Sequence, residues 1–268
     1  MVFIISIQKA FIIKIMNLEQ FEKLEPKTTI KFNGVEELIF FTPSVMTKWR
    51  VDSIYDKEPI TLEWLSSLNK DSVLLDIGAN VGMYTVIAAK IYKAKVFAFE
   101  PEPINYSILI KNIILNNLSD LVSSYPAGIS DLDGFTNFYI QDTRAGGSNN
   151  TINKPLNFKL EEMEYKHKIS CISFKLDTLL KKGYITQPTH IKIDVDGLEF
   201  LIIENGLDII KSPILQSLII EINPNLKEHL DMIELLGRYS FKFDKVQVSR
   251  AERKEGIFKG MAEYVFRR

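Results

Sequence analysis

The sequence predicts an α/β fold: a doubly wound, mostly parallel sheet with an antiparallel edge at its C-terminal end. Three observations predict it. From Asp71 onward, short apolar runs alternate with helix-length segments, the rhythm of a parallel sheet covered by helices on both faces. The first of those runs closes on a glycine-rich turn that opens a helix, VLLDIGANVGMYT at 73–85. The tail breaks the rhythm, with FKFDKVQVSR and MAEYVFRR reading as two more strands joined by a polar loop.

The 268 residues are 46% hydrophobic and 25% charged, enough to bury the core of one large domain. Lys and Arg total 33 against 34 Asp and Glu, a net charge of -1. No overall field draws nucleic acid or an anionic membrane, so no nucleic-acid partner is expected. Cys171 has no partner for a disulfide, and three histidines without further cysteines make no zinc-finger pattern. A reducing, cytoplasmic setting follows.

Taken in order, residues 1–16, MVFIISIQKAFIIKIM, are apolar but interrupted by Lys9 and Lys14, short of the ~20 apolar residues a membrane span needs. No transmembrane segment is expected, and the order of charge and the missing Ala-x-Ala site argue against a signal peptide. The segment packs on the domain or translation starts at Met16, with a membrane-surface anchor as the third reading. Residues 17–60 show one strand-like run, Glu37–Thr42, and residues 1–60 are read as an N-terminal extension capping a domain over 61–268. Within that domain, strands are predicted at Val73–Asp76, Lys95–Glu100, Val122–Tyr125, His190–Asp194 and Leu218–Asn223. Helical spacing marks Met83–Ile91, Pro103–Asn117 and Leu198–Lys211, and Pro103 suits a first helical turn. Over about 134–175 the strand-like FTNFYI, the loop RAGGSNNT and the strand-like KISCISFKL read as an inserted hairpin.

In the glycine turn, Gly78 lets the backbone bend sharply and Gly82 lets a helix or ligand approach without a Cβ in the way. Asn80 stands where a dinucleotide fingerprint needs its middle glycine, and no G-x-x-x-x-G-K-[ST] string occurs. The turn is therefore not built for a pyrophosphate or triphosphate. Glu100 closes the next strand 24 residues after Asp76, near the spacing at which a carboxylate takes ribose hydroxyls. Asp76 ends an apolar strand, where a carboxylate is costly unless it accepts hydrogen bonds or faces a cation. A ligand with ribose hydroxyls and a positive charge but no phosphate points to S-adenosylmethionine rather than NAD or ATP.

A second acidic strand end follows. IKIDVDGLEF sets Lys192, Asp194 and Asp196 at period two, opposite Ile191, Ile193 and Val195, so two carboxylates converge where open α/β sheets bind ligands. The competing structural readings are a Lys192–Asp194 ion pair and a capping box closed by Asp196 and Glu199. The next strand ends in Glu221 and Asn223, which with Asp194 make a hard-oxygen set suited to a magnesium ion; contacts to substrate hydroxyls, or a cap on Pro224-Asn225, are the preferred readings, and no metal is assigned.

With LLDIGANVGMYT at 74–85, FAFEPEP at 97–103, AGISDLDG at 127–134, AGGSNNT at 145–151, HIKIDVDGLE at 190–199 and LIIEIN at 218–223, the chain resembles the FkbM family of methyltransferases over roughly residues 70–223. The resemblance implies an S-adenosylmethionine-dependent O-methyltransferase on a Rossmann-like, class I methyltransferase sheet, acting on a hydroxyl of a sugar, polysaccharide or secondary metabolite. It implies cofactor contacts from Asp76, Gly78, Ala79, Asn80, Gly82, Tyr84, Thr85, Glu100 and Pro101, with Ser130 and Asp131 reaching the adenine.

The combined reading gives the chemistry to Asp194, with Asp196 beside it, because an alcohol must lose a proton as its oxygen is methylated. Ser148, Asn149, Glu221 and Asn223 are assigned to a small-molecule or glycan acceptor, the loop at 146–150 either folding over it or standing as a solvated hairpin tip. Two rivals share these motifs: an NAD-dependent sugar oxidoreductase, against which the missing glycine counts, and a non-catalytic cofactor-binding scaffold. Nothing in the sequence indicates an oligomeric state.

Overall fold

A computed structural model describes residues 18–34 and 36–268, so the reading of residues 1–16 lies outside the described residues. A short helix α1 (Leu18–Glu22) leads to an antiparallel hairpin of β1 (Lys27–Phe32) and β2 (Glu36–Phe41), then to helices α2 (Val45–Asp52) and α3 (Pro59–Leu65). Ser44 starts α2 with a capping box, its side chain accepting from the Thr47 N–H, and Pro59 occupies the first position of α3. Only one strand was predicted before residue 60. β1, KTTIKF, lacks an apolar run because one of its faces is exposed.

The alternating segment then supplies β3 (Val73–Ile77), α4 (Met83–Lys90), β4 (Lys95–Phe99), α5 (Pro103–Leu115) and β5 (Val122–Tyr125). Beyond it lie β6 (Gly128–Ile129), β7 (Gly134–Ile140), β8 (Thr151–Ile152) and β9 (His167–Phe174), which form a separate four-stranded sheet in the order β6-β9-β7-β8. The β7–β9 pairing is antiparallel and runs from Gly134 opposite Ser173 to Ile140 opposite His167.

The chain returns through α6 (Leu176–Lys181), β10 (His190–Ile193), α7 (Glu199–Glu204), α8 (Leu207–Lys211), β11 (Ser217–Ile222), α9 (Lys227–Arg238), β12 (Lys242–Phe243), α10 (Lys245–Ala251) and β13 (Ala262–Arg267). The central sheet has the order β12-β13-β11-β10-β3-β4-β5. Strands β11, β10, β3, β4 and β5 are parallel, and β13 is antiparallel to both of its neighbours. This is the doubly wound sheet with an antiparallel edge that the sequence predicts. From β3 the order runs outward one way to β4 and the other way to β10, so a crevice opens at the carboxyl ends of β3 and β10.

Two expectations are corrected. The helix predicted over Leu198–Lys211 is two helices, broken at Gly206, where a Cβ would stand 2.3 Å from the Leu176 side chain of α6. The tail run FKFDKVQVSR holds only the two-residue β12 before Asp244 caps α10 through the Val246 N–H. Gln247 of that helix donates to the Glu263 carbonyl and accepts from the Val265 N–H, supplying to β13 the bonds a longer strand would have made.

Apolar layers cover both faces of the sheet. On one, Leu74, Val96, Val86 and Leu109 pack with Phe32, Leu38, Phe40, Val51 and Trp64 from the N-terminal segment. On the other, Leu75, Phe97, Ile191 and Leu218 pack with Ile202, Ile203, Met232 and Leu236. The outer edge of β2 is closed by amides of α5 and its C-cap: Asn112 accepts from the Phe41 N–H, and the C-cap Asn116 bridges the N–H and carbonyl of Ile39.

Candidate active site

The turn after β3 depends on left-handed backbone at Gly78 (φ 77°), Asn80 (φ 51°) and Gly82 (φ 81°). A Cβ on Gly78 would lie 2.0 Å from the Asp194 carbonyl oxygen, so this glycine lets the end of β10 close against the turn. Gly82 has a different part from the ligand approach that the sequence reading allowed. A Cβ there would meet Leu109 Cδ1 at 2.4 Å, so the close neighbour is helix α5.

Glu100, at the end of β4, is buried and joins two loops: Oε2 accepts from the Asn80 N–H at 2.7 Å and Oε1 from the Glu102 N–H at 2.8 Å. Burial pushes its carboxyl up to about 7, against the pull of those two N–H donors. A carboxylate has about four acceptor positions, so two remain for a ligand.

At the carboxyl ends of these strands lies a cavity of about 310 Å³. One wall is mostly apolar: Phe99, Pro101, Ile129, Phe138 and Ile152, with Ser130 among them. Gly78, Asn80 and Glu100 follow, and the far wall carries Arg50, Lys57, Glu58, Asp194, Asp196, Glu221 and Arg253.

Asp194 and Asp196 sit just beyond β10, in different surroundings. Lys192, almost fully buried, places Nζ 3.0 Å from Asp194 Oδ2 and 5.3 Å from the Tyr84 ring centre, while the Asp194 side chain keeps 39% of its exposure. Burial pushes Asp194 up, but the Lys192 ammonium outweighs it and holds the carboxyl down at about 2. The ion pair that the sequence reading weighed as a rival is therefore present. Asp196, left-handed at φ 59°, accepts from the Asn149 N–H at 2.7 Å. Burial and the Asp194 charge push it up to about 6. It forms no capping box, because α7 starts without a side-chain cap. Glu199 instead accepts from the N–H groups of Val195 and Gly197, bracing the acidic turn from beneath beside His229.

The loop at 145–150 is fastened over the cavity and is not a solvated tip. Asn80 and Asn105 both donate to the Gly147 carbonyl, and Asn105 accepts from the Gly146 N–H. Arg50 Nε donates to the Gly146 carbonyl at 2.7 Å, and Ser44 Oγ donates to that of Ala145 at 2.7 Å. Ser148 and Asn149 thereby face the cavity.

Several predicted contacts are not brought there. Asp76 is buried beneath the floor, accepts the Thr85 hydroxyl at 2.5 Å, and is raised by burial against the pull of Lys192. Thr85 is likewise enclosed within α4. Ala79 and Tyr84 line a smaller space of about 40 Å³ alongside, with Arg50, Lys57, Glu58 and Asp194. Asp131 is turned to Lys154 at 3.5 Å and Asn153. Asn223 spends its amide on the Phe158 carbonyl and on Asn225, whereas Glu221 does line the cavity but is paired there with Arg253. Those engagements do not fit the hard-oxygen magnesium set, and no group of three His, Cys, Asp or Glu among the described residues is arranged to hold a metal.

Sequence reasoning missed Met46, Trp49, Arg50, Lys57 and Glu58, which line the cavity from the N-terminal segment, and Arg253 and Phe258 from the tail. None belongs to a motif. Asn105 was missed too, because the same helix also carries Ser107, Lys111 and Asn112 and nothing in the sequence sets one amide apart.

Among the described residues no helix is long and apolar enough to cross a membrane. The chain is similar to the hexuronic acid methyltransferase AglP of Haloferax volcanii, 25% identical over 213 residues that cover 80% of this chain and 81% of the relative. It is also similar to methyltransferase 1 of Beauveria bassiana, 26% identical over 172 residues covering 59% and 64% of the two chains. A solved structure of methyltransferase FkbM from Methylobacillus flagellatus aligns with a TM-score of 0.49 at 14% identity, over 75% of this chain but only 44% of that longer one. The methyltransferase FkbM domain model matches residues 76–243, from the glycine turn to β12, and the chain belongs to that family.

Proposed function

We propose that the chain methylates a hydroxyl group of a sugar, using S-adenosylmethionine as donor. The observation that carries this reading is one cavity that gathers the glycine turn, Glu100 and the Asp194–Asp196 pair. The lining fits that cofactor. The free acceptor positions of Glu100 suit ribose hydroxyls, the apolar wall with Ser130 suits an adenine, and the permanently charged Asp194 suits a cation. When bound, the sulfonium supplies a methyl group that is already reactive.

What remains for the protein is alignment and one proton. Asp194 remains a fixed anion, because its pairing with Lys192 makes it a poor proton acceptor near neutrality. Asp196, poised near 6, is the better base, and it shifts the proton-accepting part from the residue that the sequence favoured to its neighbour. Asn149 orients that carboxylate through its backbone N–H, and the fastened loop holds Asn149 in place.

The relative acting on a hexuronic acid supports a sugar acceptor, and a net charge of -1 supports a small molecule or glycan over nucleic acid. The lone cysteine supports a reducing, cytoplasmic setting. Residues before 61 are read as a cap that completes one wall of the cavity, with residues 61–268 carrying the transferase. Calorimetric titration with S-adenosylhomocysteine and with NAD, followed by transfer of labelled methyl to a panel of glycosides, tests the reading. Tight binding of the first, with label on a sugar oxygen, is expected. Binding of NAD alone, or no label on any glycoside hydroxyl, overturns it.

A further inference from the structure

We propose that Arg50 binds the carboxylate at the amino-acid end of the cofactor, which deepens and rests on the reading just given. Arg50 lies in the last turn of α2, outside the matched family region of 76–243. The other cations at this wall are engaged: Lys57 with Glu58, Lys192 with Asp194, and Arg253 with Glu221 and Glu263. Arg50 has no carboxylate of the described residues within 4 Å, although its charge reaches Asp194 and Asp196 and helps to hold both down. Its Nε is spent on the Gly146 carbonyl, and its two terminal nitrogens hydrogen-bond to none of the described residues. That bond fixes the plane of the guanidinium and leaves the fork of N–H donors whose geometry matches a carboxylate.

Position selects which carboxylate. Arg50 borders both the 310 Å³ cavity and the small space beside it, next to Gly78, Asn80 and Asp194. With the ribose at Glu100 and the adenine against Ile129 and Ser130, the amino-acid end of the cofactor must lie on the opposite side of the glycine turn, among Arg50 and Asp194. That end is a zwitterion. Its carboxylate faces the unpaired guanidinium, and its ammonium faces Asp194, whose Oδ1 has no hydrogen-bond partner among the described residues. A carboxylate on the acceptor is the competing occupant, and the test below separates the two.

Calorimetric titrations of wild type, Arg50→Gln and Arg50→Lys with S-adenosylhomocysteine, decarboxylated S-adenosylmethionine and 5′-methylthioadenosine read the inference without turnover. Arg50→Gln is expected to weaken S-adenosylhomocysteine by about 10- to 100-fold, the worth of a charge-assisted pair of hydrogen bonds, with Arg50→Lys intermediate. The two ligands that lack a carboxylate should bind both variants as they bind wild type. Should Arg50→Gln fail to fold, the same contrast in Arg50→Lys decides. Equal weakening of all three ligands would mean that Arg50 only holds the loop, and unchanged S-adenosylhomocysteine binding would give the guanidinium to the acceptor; either overturns the inference. A wild type that binds none of the three overturns the cofactor reading itself, and this inference with it.

Discussion

Asp194 and Asp196 show how far a residue pattern reaches. That both carboxylates lie at the end of one strand was legible in the sequence, but strand alternation is not what groups them, since β10 stops at Ile193 and Asp196 is left-handed at φ 59°. Their opposite electrostatics were not legible, since these come from Lys192 pressed against one carboxylate and burial around the other. The difference predicts different mutants. Asp196→Asn should lower turnover by about 10²–10⁴ while melting temperature and cofactor affinity stay near wild type. A base pushed up to about 6 is protonated and idle below that pH, so wild-type kcat should climb through about pH 6 and level off above it. A pH–rate profile flat between 5 and 8 would remove Asp196 from the role. Asp194→Asn leaves Lys192 nearly buried without its main partner; because the pair opens into the cavity, a loss of about 1–3 kcal/mol by urea denaturation is expected, less than for a fully enclosed pair.

At the scale of elements, the parallel strands were legible because strands buried on both faces are written as near-continuous apolar runs. What escaped were segments whose shape is decided by a distant contact. Gln247 bonds to β13 from a helix where the run read as a strand, and at the break between α7 and α8 the close approach of Leu176 of α6 leaves room only for glycine at 206. Gly82 is the same lesson inside the motif itself: its spacing suggested ligand approach, yet its close neighbour is Leu109. Gly82→Ala therefore acts on the fold. The left-handed φ of 81° and a Cβ 2.4 Å from Leu109 should together cost about 2–5 kcal/mol of stability. A melting curve checks it, and a wild-type melting temperature combined with weakened cofactor binding would restore the ligand-approach reading.

Over the whole molecule, the N-terminal segment was the least legible part, for its β-hairpin is polar on one face and its cavity residues belong to no motif. Its apolar side chains nevertheless complete one of the two layers on the central sheet. Phe32, Leu38, Phe40, Val51 and Ile54 are each buried to 4% exposure or less. Burying a side chain of this kind contributes about 1.5–3 kcal/mol, so the five together are comparable with the roughly 5–15 kcal/mol net stability of a whole domain. Their loss would also expose Leu109 and strip Asn112 and Asn116 of the β2 backbone that they cap. A chain beginning at Thr61 should therefore be insoluble or unfold without a cooperative transition, even though it retains the entire matched family region. One beginning at Met16 keeps every contact named here and should melt as the full chain does. Expression of the two lengths side by side, followed by melting of whatever stays in solution, decides it: a soluble, cooperatively melting chain from Thr61 onward would mean that the N-terminal segment is an appendage and that the wall carrying Arg50 is dispensable to the fold.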